Sequence, residues 1–279
     1  MNILAGIPSY FGTEEVRERR YKAHQIQLEW LRKYKIPAII YAQDYKKSEY
    51  SSDFTYRKYK EPYHWAKFKR IFLKEFYESD YMWGIIMDND AGLYDHHLGY
   101  DIFLHMNLFY KEWDKIDFWY PLDPRKEPFN HLYKEYPEIY KENLVFQRSP
   151  VTAKGTMFII KNPKYSKKKP VLFSSKTSSD DTEFVINCIK NKWNVYKCTS
   201  IILKELVDSS KHSTIYWLAD LKERAKIVSE EKINFAEKYG INYTIRKNGG
   251  VTLRSKSFIE KHVGKKNKDI IIPKHEKFL

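Results

Sequence analysis

The feature that most constrains the fold is an alternation of apolar runs with amphipathic segments across the first ninety residues. Residues 2–8, 36–41 and 83–87 have the length and composition of buried β-strands. Between these runs, the spacing of apolar residues predicts helices over about 14–34 and 65–77. The order strand, helix, strand, helix, strand predicts an α/β fold with an open, mostly parallel sheet and helices on both faces.

The rest of the chain has a less regular pattern. The stretch 46–60 lacks an apolar period and is predicted to be a loop, and 101–150 to hold short helices around one strand. Further strands are expected at 117–120, at 155–160 and, as an edge strand, at 200–203. Further helices are expected from 181 onward and at 216–237. No linker or repeat interrupts the chain. We therefore expect a domain over 1–220, with a helical and basic appendage over 221–279 packed on it.

Composition and charge narrow the function classes. A hydrophobic content of 42% with 16% aromatic residues excludes a disordered or fibrous chain. The 50 Lys and Arg against 36 Asp and Glu leave a net charge of +14, which favours polyanionic partners. Codon bias in an AT-rich genome would raise lysine in the same way, so the charge alone does not decide between the two explanations.

Other sequence features indicate the compartment and exclude some chemistries. Two cysteines outside any CxxC pair, no apolar run of about 18 residues and no signal peptide predict a cytoplasmic protein without a membrane span. The motifs GxxxxGK[ST], GxSxG, HExxH and GxGxxG do not occur in the sequence. P-loop phosphoryl transfer, α/β-hydrolase, zincin and dinucleotide oxidoreductase chemistry therefore lose their usual signatures.

Two pairs of acids are the candidate chemical groups. Asp88 and Asp90 follow the third apolar run, so the strand end directs both carboxylates into the cleft beyond the sheet. Hard oxygen ligands there suit Mg²⁺ or Mn²⁺, although hydrogen bonds within a surface turn are the alternative. Asp180 and Asp181 begin a later helix, where one of them could act as a general base toward a hydroxyl. Helix capping and the helix dipole also explain acids at that position.

Five segments together resemble GT-A-type nucleotide-sugar glycosyltransferases, and most of all the bacteriophage-encoded members that modify DNA bases. These segments, spread over about 2–220, are IPSYFG, AKFKRIFLKEFYESDYMWGIIMDNDA, KGTMFII, DDTEF and CTSIILKEL. The resemblance implies a GT-A-like fold, a nucleotide-sugar donor (a UDP-sugar first) and Mn²⁺ or Mg²⁺ as cofactor. It implies Asp90 as the direct metal ligand and Asp88 as a contact to the ribose or to metal-bound water. It also implies Asp181 as the base, but Asp180 stands where Glu is usual, which leaves the choice between the two open.

The same resemblance implies further site residues. A third metal ligand is expected downstream at His212, with His262 and His275 as competitors. Contacts to the diphosphate are expected from Lys67 and Arg70. The nucleotide base is expected against the first strand, beside Ile7, Pro8, Ser9 and Tyr10, although a place in the core is the alternative for Tyr10.

For the acceptor, the resemblance implies double-stranded DNA with a hydroxylated base, in the host cytoplasm if the protein is phage-encoded. Segments 53–65 and 243–256 mix cations with aromatic residues, and Arg17 and Arg20 lie on one helix face. Phosphate contacts and base stacking require such residues, although the rings could instead pack inward. Two alternatives stay open: transfer to an envelope glycan or lipid, and a non-enzymatic nucleic-acid-binding protein. The sequence does not indicate an oligomeric state.

Overall fold

The structure is a computed structural model that describes most of the chain. The described residues are 2–12, 14–60, 65–93, 101–122, 142–148, 151, 156–174, 180–206, 221–264 and 269–275. The strands are β1 (Ile3–Tyr10), β2 (Ala38–Gln43), β3 (Thr55–Tyr59), β4 (Trp83–Met87), β5 (Ala91–Leu93), β6 (Phe118–Leu122), β7 (Asn143–Arg148), β8 (Met157–Lys161), β9 (Val195–Glu205), β10 (Asn242–Ile245), β11 (Val251–Arg254) and β12 (Ile270–Pro273). The helices are α1 (Glu14–Lys33), α2 (Trp65–Glu78), α3 (Ile102–Leu108), α4 (Pro163–Ser166), α5 (Asp180–Lys190), α6 (Leu221–Tyr239) and α7 (Lys256–Val263).

The central sheet is parallel where the first ninety residues build it and mixed beyond. β1 pairs in parallel with β2 and β4, and β2 pairs in parallel with β3. The order of the sheet is β12-β7-β9-β6-β8-β4-β1-β2-β3, and the short β5 pairs with the end of β9. The predicted open α/β sheet is therefore confirmed. Because β4 lies inside the sheet, the residues that follow it emerge at the middle of the sheet's carboxyl edge.

Helices cover both faces of this sheet, as predicted. Ile7 and Met87 belong to one apolar layer, which is shared with α1 and α3. Leu4, three positions before Ile7, and Ile86, one position before Met87, belong to the other layer, which is shared with α2 and α5. Successive side chains of a strand point to opposite faces, so β1 and β4 each contribute to both layers.

Helix α2 approaches the sheet closely at two glycines. A Cβ atom at Gly6 would lie 2.3 Å from Cδ2 of Phe72, and one at Gly84 would lie 2.9 Å from the ring of Phe76. Atoms in real proteins do not approach this closely, so α2 can lie at this height only above residues without a side chain. The close approach fixes the position of Lys69, which α2 carries toward the end of β4.

Two predictions of local structure are wrong. The predicted loop 46–60 contains β3, an edge strand whose side chains are half-buried or exposed, so it has no apolar period. The segment 200–203 belongs to β9, which lies inside the sheet between β7 and β6 and is not an edge strand. Its polar residues are buried because they bond to β7. Thr199 donates to the carbonyl of Val145, and Ser200 accepts from the amide of the same residue.

The carboxyl-terminal part of the chain joins the main sheet. Helix α6 covers the described portion of the helix predicted at 216–237, and residues 207–220 lie outside the description. After the hairpin β10–β11 and α7, strand β12 pairs antiparallel with β7. The sequence pattern does not predict β7. The domain boundary at residue 220 stays a prediction. In the described part of the chain, no helix combines the length and apolar character needed to cross a bilayer.

Candidate active site

The residues Asp88, Asn89 and Asp90 form a turn between β4 and β5, which we call the acidic turn. Its backbone is held from three directions. The amide of Asp88 donates to the carbonyl of Thr156 (2.9 Å), the amide of Ala91 to the carbonyl of Asp88 (3.0 Å), and the amide of Leu206 to the carbonyl of Asp90 (2.8 Å). Two carboxylates therefore project from a fixed backbone at the carboxyl edge of the sheet.

Helix α1 supports the acidic turn from one face of the sheet. Nε2 of Gln27 donates to the carbonyls of Asp88 (2.8 Å) and Ala91 (2.5 Å). The side-chain oxygen of Gln27 only accepts, so Nδ1 of the buried His24 carries the proton and donates to it over 3.2 Å. Burial lowers the pKa of His24 to about 4, although the bond to Gln27 opposes the shift. A buried neutral histidine therefore orients the amide that holds the turn.

Arg20, one turn before His24 on α1, pairs with Asp90. Nη1 of Arg20 lies 3.7 Å from Oδ2 of Asp90, and both side chains are almost fully buried. The guanidinium of Arg17 lies near Asp44 and forms two hydrogen bonds to Glu49, of 2.8 and 2.6 Å. Both arginines are thus occupied inside the protein. The prediction that they form a surface for a polyphosphate is wrong, because the helix face they share is the face that packs on the sheet.

Helix α2 contributes Lys69 from the opposite face. Its side chain is only 3% exposed, and Nζ lies 2.9 Å from Oδ1 of Asp181 and 3.6 Å from Oδ2 of Asp180. The ammonium also lies 5.4 Å from the ring centre of Phe173 and 5.8 Å from that of Phe158. An ammonium beneath two rings and between carboxylates is a fixed, water-poor charge.

The charges of these groups are strongly coupled. Burial raises the pKa of Asp88 well above its usual range; Lys69 opposes this, and Asp90, Asp181 and Asp180 add to it. Burial and the neighbouring Asp181 likewise raise the pKa of Asp180. Burial would lower the pKa of Lys69, but the carboxylates of Asp180, Asp181 and Asp88 outweigh it and raise the value. The acidic turn and the start of α5 therefore form one electrostatic unit around Lys69.

This unit fits a divalent cation. Oδ1 of Asp88 is buried and has no hydrogen-bond partner among the described residues. When all four acids are ionised, their carboxylates exceed the two cations Lys69 and Arg20 by two negative charges, and the repulsion among them adds to burial in raising the pKa of Asp88 and Asp180. Carboxylate oxygens are the ligands that Mg²⁺ and Mn²⁺ prefer. Both the orphaned oxygen and the charge surplus are what a bound Mg²⁺ or Mn²⁺ ion would offset.

The predicted residues of the base-binding edge lie along the end of β1. Ile7 is fully buried in the α1 layer, and Pro8 is buried in the sheet. The hydroxyl of Ser9 bonds to that of Tyr45 and accepts from the side-chain amide of Asn89 over 3.2 Å. Tyr10 is half-buried, and its carbonyl also accepts from Asn89 (3.1 Å). Contact of these four residues with a nucleotide stays a prediction.

The remaining predicted residues are placed less directly. Arg70 donates to the carbonyl of Phe173 over 3.0 Å, and Lys67 is half-buried on α2. His212 lies outside the described residues. Its two competitors have partners elsewhere, since His262 packs on Phe258 and His275 bonds to Glu112. The roles of Lys67, Arg70 and His212 therefore stay predictions.

Sequence reasoning misses Lys69 and Gln27 and gives Arg20 a different role, although the sequence contains a signal for each. Lys69 lies three and seven residues before Phe72 and Phe76, on the apolar stripe of α2. Arg20 and Gln27 fall on the stripe of α1 in the same way, in line with His24. A polar side chain on an apolar stripe must find a partner inside the protein, because leaving it buried without one is costly. Such positions are therefore candidates for a site at the sheet.

Comparisons with known proteins find likeness in three-dimensional structure. No family model matches the chain, and no curated protein sequence matches it. A fragment of S. aureus TarS in complex with UDP-GlcNAc has a TM-score of 0.49 and 12% identity, over 84% of this chain and 67% of that one. Another structure of the same fragment has a TM-score of 0.47 and 12% identity, over 72% of this chain and 60% of that one.

A third similar structure is that of GalNAc-T7 with UDP, GalNAc and Mn²⁺. Its TM-score is 0.48 and its identity 11%, over 84% of this chain and 50% of that one. The chain thus spans between half and two thirds of these proteins' lengths. All three TM-scores are below 0.5, so the likenesses do not by themselves assign the chain to a family.

Proposed function

We propose that the chain is a metal-dependent glycosyltransferase that moves a sugar from a nucleotide-sugar, with a UDP-sugar as the first candidate, to a hydroxyl acceptor. One observation carries this proposal. The carboxylates of Asp180 and Asp181, at the start of α5, pair with Lys69, and Asp88, at the end of β4, interacts with the same ammonium through charge. Asp90, two residues after Asp88, interacts with Asp88 through charge and pairs with Arg20. The metal site that binds the diphosphate and the carboxylate that activates the nucleophile must lie close enough together for one sugar to reach both.

The proposed roles follow from the surroundings of each acid. Asp90 and Asp88 would hold Mn²⁺ or Mg²⁺, with His212 retained as the predicted third ligand. Such a metal, when bound, neutralises charge that develops on a departing diphosphate. Arg20 holds the carboxylate of Asp90 in place, and Gln27 holds the backbone of the turn.

The acid at the start of α5 would act on the acceptor. Asp181 is 23% exposed whereas Asp180 is 7% exposed, so Asp181 is the more accessible of the two. The acceptor oxygen attacks the anomeric carbon, the bond from that carbon to the diphosphate oxygen breaks, and the nucleoside diphosphate leaves with the bonding electrons. The hydroxyl proton passes to Asp181, which releases it to water.

The test is release of UDP from UDP-sugars, beginning with UDP-GlcNAc and water as acceptor. The wild-type chain should release UDP when Mn²⁺ is present and stop when EDTA is added. Asp90→Ala should lower the rate by at least about 10²-fold, a loss typical of removing charge stabilisation. Asp80→Ala, which removes a fully exposed acid, is the matched control and should leave the rate unchanged. Equal rates in the Asp90→Ala and wild-type proteins would contradict the metal site.

For the acceptor we propose duplex DNA that carries a hydroxylated base, with the protein in the cytoplasm. The net charge of +14 supports a polyphosphate partner. Arg246, Lys247 and Arg254 are exposed on the hairpin β10–β11 and offer cations at the surface. An envelope glycan or lipid is the alternative acceptor. It would be favoured by transfer to that substrate without any activity on DNA.

A further inference from the structure

Lys69 contacts the two neighbouring acids of α5 at different distances. Its ammonium donates to Oδ1 of Asp181 over 2.9 Å, which is a hydrogen bond, and lies 3.6 Å from Oδ2 of Asp180, which is an ion pair without one. That oxygen of Asp180 is buried and has no hydrogen-bond partner among the described residues. A single cation thus binds Asp181 through a short hydrogen bond and Asp180 through a longer ion pair.

The two acids also differ in their access to solvent. The side chain of Asp180 is 7% exposed, and that of Asp181 is 23% exposed. Because Oδ1 of Asp181 is bonded to Lys69, the exposed part of this carboxylate can present its second oxygen to solvent and to an acceptor there. The side chain of Lys69 is 3% exposed and lies near the rings of Phe173 and Phe158, so close packing restricts its rotamers.

We infer that Lys69 is a positioning residue, which holds Asp181 by one oxygen so that the other removes the acceptor's proton, while Asp180 serves as the buried counter-charge of Lys69. The inference rests on the proposed function. It resolves the choice that the sequence leaves open between Asp180 and Asp181. In this arrangement Lys69 does not touch the substrate and acts only through Asp181.

The experiment uses the full chain with UDP-GlcNAc and Mn²⁺, in the presence and absence of sodium azide. Water must lose a proton to become a good nucleophile, whereas azide is already an anion and needs no base. Azide attacks the anomeric carbon, the bond to the diphosphate oxygen breaks, and glycosyl azide and UDP form. Azide should therefore restore the rate of variants that lack a working base, but not of variants that cannot bind the donor.

We expect Asp181→Asn to lower kcat for hydrolysis by about 10²–10⁴-fold, the range for loss of a general base, with KM for UDP-GlcNAc nearly unchanged. Azide should raise the rate of this variant at least about tenfold, with glycosyl azide as the product. Asp180→Asn should lower kcat much less and gain nothing from azide. The opposite order of the two variants would overturn the inference.

Changes at Lys69 test positioning directly. Lys69→Met should lower kcat by about 10²-fold, the effect of a misplaced group, and azide should restore it. Lys69→Arg should recover part of the loss, because it keeps a charged donor. Lys74→Met, the same change at an exposed position of α2, is the control and should behave as wild type. A defect of Lys69→Met that lies in KM, or that azide does not restore, would overturn the inference.

Two further measurements separate failure of folding and failure of the proposed function. Lys69→Met leaves Asp180 buried without a counter-charge, so the double variant Lys69→Met/Asp180→Asn removes both charges and should fold. It should show the same loss and the same rescue by azide, and otherwise the inference is wrong. If wild type shows no Mn²⁺-dependent hydrolysis, the proposed function fails and the inference fails with it. Normal wild-type hydrolysis with the wrong pattern among variants overturns the inference alone.

Discussion

Gln27 on α1 and Asp88 at the end of β4 are joined by a hydrogen bond of 2.8 Å from the side-chain amide to the backbone carbonyl. The same nitrogen also donates to the carbonyl of Ala91 over 2.5 Å, so a single side chain spans the acidic turn. Because His24 fixes the other end of this amide, the geometry of two proposed metal ligands depends on residues that need not touch the metal.

Replacing Gln27 by Leu should weaken both the fold and the metal site. The change removes the hydrogen bonds of Gln27 to Asp88, Ala91 and His24 and leaves these polar groups without that partner, which costs about 1–3 kcal/mol in the free energy of unfolding. The affinity for Mn²⁺ should fall about 10–100-fold, as for other losses of outer-shell support. Urea denaturation and calorimetric titration measure the two effects. Gln25→Leu, at a half-buried position of the same helix, is the control, and an unchanged Mn²⁺ affinity in Gln27→Leu would show that Gln27 supports only the fold.

Mn²⁺ should stabilise the wild-type chain against heat. A ligand that binds only the folded state at a hundred times its dissociation constant adds about 2.7 kcal/mol to the free energy of unfolding. Asp90→Asn should lose this gain and Asp80→Asn should keep it, as measured by thermal unfolding with and without EDTA. The same increase of Tm in Asp90→Asn would place the metal elsewhere.

Gly6→Ala should destabilise the protein by about 1–3 kcal/mol, because the new methyl group would overlap the ring of Phe72. Since α2 must then move, UDP-sugar hydrolysis should fall as well. The double variant Gly6→Ala/Phe72→Leu should recover part of the stability by removing the overlapping ring. Gly250→Ala, where the nearest atom belongs to the exposed side chain of Asn248, is the control. Equal urea midpoints for Gly6→Ala and wild type would contradict the close packing.

The stability should depend on pH through His24. Its pKa is about 4 in the folded protein and 6.5 when unperturbed, so between these values the unfolded chain binds a proton that the folded chain does not. This contribution is complete above pH 6.5 and is lost as the pH falls toward 4, with a limit of about 3 kcal/mol. Other groups titrate alike in His24→Asn, so the difference between the two proteins isolates His24. Parallel stability curves for wild type and His24→Asn would contradict the shift.

Binding to duplex DNA should depend strongly on salt if DNA is the acceptor. Neutralising about four to six phosphates gives a slope of roughly −4 to −5 in log K against log[salt]. Alanine at Arg246, Lys247 and Arg254 should flatten this slope and leave UDP-sugar hydrolysis unchanged. Alanine at three exposed lysines of α1 and α2, Lys22, Lys33 and Lys74, is the control. A slope near zero for wild type would remove DNA as the acceptor.

The sequence pattern predicts the fold best where one periodicity dominates. β1, β2 and β4 are mostly apolar because helices cover both faces of the sheet, so the sequence shows each of them as a short apolar run. β3 is hidden because it is an exposed edge, and β9 because it buries Lys197, Thr199 and Ser200 against its neighbours. A strand whose buried side chains are polar shows no apolar run in the sequence. The hydrogen bonds that stabilise it are formed with distant parts of the chain.

The candidate site is predictable to the same extent. Asp88 and Asp90 are predicted because they follow an apolar run, and Asp181 because it lies at the start of a helix. Lys69 meets Asp181 across a separation of 112 residues, a proximity that only the packing of α2 and α5 on one face creates. No local pattern contains that information. The stripe positions of Lys69, Arg20 and Gln27 indicate that each needs an interior partner, but not which one.

Groups from both faces of the sheet act on the acidic turn: Arg20 and Gln27 of α1 bond to it from one face, and Lys69 of α2 interacts with Asp88 through charge from the other. The two apolar layers share no side chains, yet residues from the helices of both layers interact with the acidic turn. An ion that binds there would tie the layers to a common anchor point. Binding of the ion should then slow hydrogen exchange at the amides of α1 and of α2 by the same factor, because the two layers would open as a single cooperative unit.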